Sequence, residues 1–120
     1  MRRCILVVDD DTMNLRRTKM ILEKFYDVVL AESGEAALIV LERHKVDLIL
    51  LDIAMPAMDG METFERITAI PVNVPVIFLT ASGDEDDVIS AVKLGAVNYL
   101  KKPFFPPELL KRVAKEFETA

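Results

Sequence analysis

Cys4-Ile5-Leu6-Val7-Val8-Asp9-Asp10-Asp11 is the stretch that decides how this chain folds. Five apolar residues run without alternation into three aspartates, the pattern of a short strand buried on both faces and cut off by charge. A second run, Leu48-Ile49-Leu50-Leu51, also ends in a carboxylate, Asp52. Uncompensated negative charge directly after a buried strand is poor design for stability, because like charges repel and desolvation is costly. Two such strand ends point to an acidic pocket that binds a cation.

Short apolar runs of the same kind recur between longer amphipathic stretches. They predict strands at about Cys4–Val8, Val28–Ala31, Leu48–Leu51, Val76–Leu79 and Asn98–Lys101, with helices at about Met13–Phe25, Gly34–Lys45, Met61–Ile70, Glu85–Leu94 and Pro107–Phe117. The last helix carries Leu110, Val113, Ala114 and Phe117 at the spacing of one helical face. Punctuation agrees: Ser33 can cap the second helix, Gly95 stands where a left-handed residue is needed, and Pro107 suits a first turn.

Strict alternation of strand and helix calls for a parallel sheet with helices on both faces and right-handed crossovers. Ligands of such α/β folds bind outside the carboxyl ends of the strands, where the winding reverses. The charged and hydroxyl residues collect there. Asp9 and Asp10 follow the first strand, Asp52 the third, Thr80 the fourth and Lys102 the fifth.

Composition narrows the function classes. The 120 residues fit one domain, residues 1–120, with no linker, repeat or output domain in this chain, and a core of that size needs no disulfide. Cys4 is the one cysteine; it packs as a small apolar residue, and a reducing compartment suits it. The first apolar stretch is too short and wrongly flanked for a signal peptide, and no run is long enough to span a membrane. A cytoplasmic location without membrane contact is therefore expected. A net charge of −5 argues against direct binding of nucleic acid, whose phosphates attract clustered Lys and Arg.

Four motifs in order along the chain closely resemble the receiver domain of bacterial two-component response regulators. They are Ile5-Leu6-Val7-Val8-Asp9-Asp10-Asp11, Leu51-Asp52-Ile53-Ala54-Met55-Pro56 through Asp59-Gly60, Phe78-Leu79-Thr80-Ala81, and Tyr99-Leu100-Lys101-Lys102-Pro103-Phe104. The segment Gly34-Glu35-Ala36-Ala37-Leu38 also looks like the family's second helix. The resemblance implies a flavodoxin-like fold with strand order 2-1-3-4-5, for which receiver proteins are a standard example.

It also implies a function: a signalling switch that accepts a phosphoryl group onto Asp52 from a phosphohistidine on a sensor histidine kinase or a histidine phosphotransfer protein. Mg²⁺ is the implied cofactor, with Asp10 and Asp52 as direct ligands, the Ala54 carbonyl as a third, and Asp9 direct or through water. Mg²⁺ suits the task, since it is typically held by one or two carboxylates and the substrate's phosphate oxygens. Lys102, which like the family's lysine immediately precedes proline, would set a second positive charge against the phosphoryl oxygens. The Lys102-Pro103 bond is then expected to be cis, and alternation sends Lys101 to the other side. Thr80 would donate its hydroxyl to the phosphoryl group, and Tyr99 matches the family's aromatic switch position. Signal would leave through a downstream protein on the face formed by the fourth helix, fifth strand and fifth helix. Ala54 and Ser82 flank the approach of hydrolytic water and orient it poorly, which implies slow self-dephosphorylation of a phosphoacceptor that is not itself an enzyme.

Each residue also has a plainer reading. Asp11 suits a solvated helix start, where acids complement the dipole, and Glu85-Asp86-Asp87 suits the same role at the fourth helix. His44, the lone histidine, is expected to be exposed at the end of the second helix. Met55 and Met58 read as packing residues, Tyr99 as a half-buried aromatic with a wet hydroxyl, and Thr80 or Lys102 in isolation as a turn residue and a surface lysine. Two other functions compete. A Mg²⁺-dependent aspartyl-phosphate phosphohydrolase would want a second acid where Ala54 stands, and a nucleotide- or flavin-binding module would want a glycine- or hydroxyl-rich loop where Asp9-Asp10-Asp11 would repel its phosphate.

Overall fold

The computed structural model describes residues 2–53, 55, 59–70, 74–80, 93, 95–96 and 98–118. Five strands, β1 (Cys4–Val8), β2 (Asp27–Ala31), β3 (Leu48–Asp52), β4 (Val76–Thr80) and β5 (Asn98–Lys101), form one sheet in the order β2-β1-β3-β4-β5. Every pairing is parallel. Four helices are described: α1 (Thr12–Leu22), α2 (Gly34–Arg43), α3 (Gly60–Thr68) and α4 (Pro106–Glu118). The expected flavodoxin-like arrangement is thus present, and α4 is the helix predicted fifth.

Alternation along the strands builds two cores. Leu6, Val8, Ile49, Leu51, Val76 and Phe78 point to one face and pack with Ala37 of α2 and Phe64 and Ile67 of α3; Phe64 meets Phe78 edge-on with ring centroids 5.1 Å apart. Ile5, Val7, Leu48, Leu50, Ile77, Leu79 and Leu100 point to the other, against Leu15 and Leu22 of α1 and Leu109 and Val113 of α4. Each side chain so removed from water contributes roughly 1.5–3 kcal/mol. The apolar runs without alternation are explained: β1, β3 and β4 are covered on both faces, whereas the edge strand β2 keeps partly exposed positions.

The caps lie where local chemistry places them. Ser33 Oγ accepts the Ala36 N–H at 3.0 Å, Gly95 has φ 100°, and Pro107 sits in the first turn of α4. Helix ends differ from expectation. α1 stops at Leu22 instead of Phe25, because Leu22 O takes the N–H groups of both Phe25 and Tyr26 in a turn that lets the chain enter β2 at Asp27. α2 stops at Arg43, with exposed, extended His44 as its cap, since Val46 must be buried and Asp47 N–H must reach Cys4 O. α3 runs 60–68 instead of 61–70. Of the helix expected at 85–94, only Lys93 is described, as helical and exposed; the rest, with Glu85, Asp86 and Asp87, lies outside the described residues. Among the described residues no helix is long and apolar enough to cross a membrane.

Cys4, partly buried at the start of β1, donates its N–H to Asp47 Oδ2 at 2.8 Å. Burial first, then the Asp47 and Asp27 carboxylates, push its thiol pKa above the ordinary value. Alkylation requires the thiolate. At about pH 8, below the usual thiol pKa of roughly 8.5, Cys4 should therefore react with iodoacetamide more slowly than free cysteine and gain rate only at higher pH. Asp47→Asn removes one like charge and should move that rise to lower pH. A wild-type rate matching free cysteine would contradict this account.

Candidate functional site

Strand register brings the charged residues together. Val8 is level with Leu51, so Asp9 and Asp52 are the next step on adjacent strands. Asp52 is level with Leu79, and Thr80 with Lys101, so Thr80 and Lys102 complete a row along the carboxyl edge. Asp9 continues the parity of Ile5 and Val7, and Asp52 that of Leu48 and Leu50. Both carboxylates therefore stand at the rim of the core facing α1 and α4.

Asp9, Asp10 and Asp52 each offer a carboxylate oxygen to one point, all three within 4.8 Å of one another. Asp9 is 2 % exposed and Asp52 4 %, while Asp10 faces solvent. Lys102 Nζ lies between the buried pair, 2.7 Å from Asp9 Oδ2 and 3.4 Å from Asp52 Oδ1. The other Asp9 oxygen, Oδ1, accepts the Asp11 N–H at 3.0 Å. Both oxygens of Asp9 are thus engaged within the protein.

Lys102 is anchored at its backbone: its N–H donates to Thr80 O at 2.7 Å, and the Lys102-Pro103 bond is cis, as expected. Lys101 is exposed. Thr80 is 3 % exposed. Tyr99 is 39 % exposed, close to the plainer reading of a half-buried ring, and its carbonyl accepts Arg112 Nη1 at 2.7 Å. Met55 is buried in the core. Ala54, Met58, Ala81 and Ser82 lie outside the described residues.

A cavity of about 270 Å³ opens beside the lysine, lined by Asp9, Asn14, Arg17, Thr18, Lys102, Pro103 and Phe104. A larger one, about 390 Å³, lies at the opposite end of the sheet among Arg3, Val46, Asp47, Val74 and Phe117. Of these two, the first carries Asp9 of the carboxylate cluster, with Lys102, in its lining.

Two features of the site are less obvious in the sequence. Asp11 is the N-cap of α1, its carboxylate accepting the N–H groups of Met13 and Asn14; the sequence signal was its place just before the helix. Gly60 opens α3 directly against the backbone of Asp52 and Ile53, with its N–H donating to Ile53 O at 2.9 Å. An Asp-Gly pair at a helix start is a hint of such contact, but the partner is visible only in three dimensions.

A family model described as the response regulator receiver domain matches residues 5–114. The chain belongs to this family. As a receiver domain it takes part in two-component signalling, where such domains accept phosphoryl groups and interact with histidine kinases. It is 40% identical over 114 residues to the alkaline phosphatase synthesis transcriptional regulatory protein PhoP of Bacillus subtilis, covering 94% of this chain and 48% of that protein. It is 38% identical to the phosphate regulon transcriptional regulatory protein PhoB of Pseudomonas aeruginosa, covering 92% of this chain and 50% of that one. The chain thus spans about half the length of these two relatives. Among solved structures, a CheY-like response regulator receiver domain from Methanospirillum hungatei superposes with a TM-score of 0.93 at 31% identity, covering 99% of this chain and 96% of that one.

The capping geometry separates Asp11 from its two neighbours. Asp11→Ala should cost about 1 kcal/mol of stability through loss of the cap, measurable by urea denaturation, while leaving the affinity of the carboxylate cluster for Mg²⁺ unchanged. Asp11→Asn, which still caps, should restore stability. A loss of metal affinity in both variants would make Asp11 a ligand instead.

Proposed function

We propose that this receiver domain is a switch set by transfer of a phosphoryl group from a phosphohistidine partner, a sensor histidine kinase or a histidine phosphotransfer protein, onto Asp52. The observation that carries the proposal is Lys102 Nζ held between Asp9 and Asp52 beside the solvent-facing Asp10. In the transfer, the P–N bond to the donor imidazole breaks, a P–O bond to the Asp52 carboxylate forms, and the imidazole recovers a proton.

Two anions must meet in that step, so charge has to be balanced where it builds up. Three carboxylates converging within 4.8 Å are a hard oxygen donor set that suits Mg²⁺. Asp10 and Asp52 would hold the ion, with Asp9 reached through water because its oxygens are taken by Lys102 and the Asp11 amide; the Ala54 carbonyl is the proposed further ligand. When bound, the ion supplies positive charge to the phosphoryl oxygens and holds them in line. Lys102 would move from the carboxylates toward the phosphoryl group as Asp52 becomes esterified, and Thr80 would donate its hydroxyl to a second oxygen.

Transmission would follow from Thr80 and Tyr99. As Thr80 is drawn to the phosphoryl group, space opens for the partly exposed Tyr99 ring to turn inward, which would change the face at β5 and α4, the one expected to include the fourth predicted helix, that a downstream protein would read. A population shift of this kind requires the phosphoryl group to favour one state. Residues 1–120 are read as a single receiver unit acting in the cytoplasm, without direct contact to nucleic acid or membrane.

Incubation with acetyl phosphate and Mg²⁺, followed by intact-mass measurement, should show a Mg²⁺-dependent gain of a single phosphoryl group that is labile to base and missing in Asp52→Ala. The same mass gain in Asp52→Ala would move the acceptor elsewhere.

Lifetime gives an independent test. Ala54 offers no hydrogen bond to an in-line water and Ser82 only a short reach, and orientation of a nucleophile can matter by orders of magnitude. Self-dephosphorylation should be slow, and the double variant Ala54→Asn, Ser82→Glu should speed the decay in Mg²⁺ buffer by roughly tenfold or more. Decay unchanged or slowed would remove the water-positioning argument.

A further inference from the structure

We infer that Gly60 is a positioning residue for Asp52, a role that rests on Asp52 being the phosphoacceptor. The first residue of α3 lies so close to the end of β3 that a Cβ on Gly60 would stand 2.3 Å from Asp52 O and 2.6 Å from Ile53 Cα. Both neighbours are backbone atoms, which cannot swing aside as a side-chain tip can. Gly60 has no positive φ among the described residues, where only Gly95 does. The requirement for glycine at position 60 is therefore one of space alone.

The contact is tied from both sides. Ile53 N–H donates to Leu79 O of β4 at 3.0 Å, and Ile53 O accepts the Gly60 N–H at 2.9 Å. α3 is fixed in turn by its own cap: Asp59 Oδ1 accepts the Glu62 N–H at 2.8 Å, and the fully buried Thr63 donates its hydroxyl to Asp59 O at 2.8 Å. Beyond the cap, Phe64 and Ile67 are sunk in the core. The main chain at Asp52 and Ile53 is thus held between β4 and the first turn of α3, and the Asp52 carboxylate is aimed by that clamp.

A methyl group at position 60 forces a choice. Relieving 2.3 Å to an ordinary carbon–oxygen contact takes a shift of about 1 Å, borne by β3 or by α3. β3 is hydrogen-bonded on both sides within the sheet. If it yields, Asp52 moves directly. If α3 yields, the Gly60–Ile53 hydrogen bond pulls on the residue next to Asp52 or breaks. Misplacement of a reacting group by about 1 Å can cost on the order of a hundredfold in rate.

The test is phosphorylation by acetyl phosphate in Mg²⁺, comparing wild type, Gly60→Ala, Thr63→Val and Ile67→Val. Gly60→Ala should lower the maximal rate about ten- to a hundredfold with little change in the donor concentration for half-maximal rate, because Lys102 and Thr80 remain. Ile67→Val loosens the far end of the same helix without touching Asp52, and its rate should match wild type. Thr63→Val weakens the clamp without a clash, since Thr63 N–H still donates to Asp59 O, and should slow transfer a few-fold; it decides the matter if Gly60→Ala does not fold. A folded Gly60→Ala within about threefold of wild type, or equal slowing by Ile67→Val, overturns the inference. Wild type that takes no phosphoryl group on Asp52 instead overturns the functional reading beneath it.

Discussion

One lysine makes this arrangement of carboxylates tolerable. Asp9 and Asp52 are both almost wholly removed from water at the ends of neighbouring strands, and two anions so placed repel while each loses its hydration. Lys102 answers both with a single ammonium group in contact with each. Partners of a buried ion pair cannot be removed singly without stranding the other charge, at a cost of roughly 3–5 kcal/mol. Among the described residues the site thus sets three carboxylates against the one ammonium group of Lys102, with Asp10 left facing solvent. That residual charge is what an external cation would meet.

Most of what aims these groups comes from the sheet. Parallel pairing with both faces covered fixes the register, because a slip of one residue could carry Asp52 to the buried level and opposite face now held by Leu51. The requirement that Leu50, Leu51 and their neighbours be buried thus places the carboxylates as a by-product. Placement of Lys102 is equally indirect: it follows from Leu100 entering the core and from the Lys102 amide closing onto Thr80 O.

Most of this was legible in the sequence. Continuous apolar runs located the strands to within a residue, and the charges that interrupt those runs marked the pocket. Asp9, Asp10, Asp52, Thr80 and Lys102 could be singled out because each stands at a strand end, while the choice of Lys102 over Lys101 came from the resemblance, in which the lysine immediately precedes proline. Helix ends were less legible, since Leu22, Arg43 and Thr68 close their helices to meet demands from elsewhere, such as the turn into β2 or the burial of Val46. Gly60 was quoted as part of a motif without a task, because a missing side chain carries no periodicity and its purpose depends on a backbone seven residues upstream. The division of labour among the carboxylates was legible only in part: Asp11 read as the start of a helix, but nothing in the order Asp9-Asp10 says that the first grips a lysine and the second faces water.

The salt bridge between Lys102 and Asp9 also bears on conformational freedom. A lysine side chain loses up to about 2 kcal/mol of rotamer entropy when it is ordered, and a lysine waving in solvent would lose it at the moment of use. Lys102 is only 16 % exposed, and its ammonium group is already gripped, so that loss occurs during folding. An anion arriving at Asp52 meets a cation that need only exchange one oxygen partner for another, over a few ångströms and without a search.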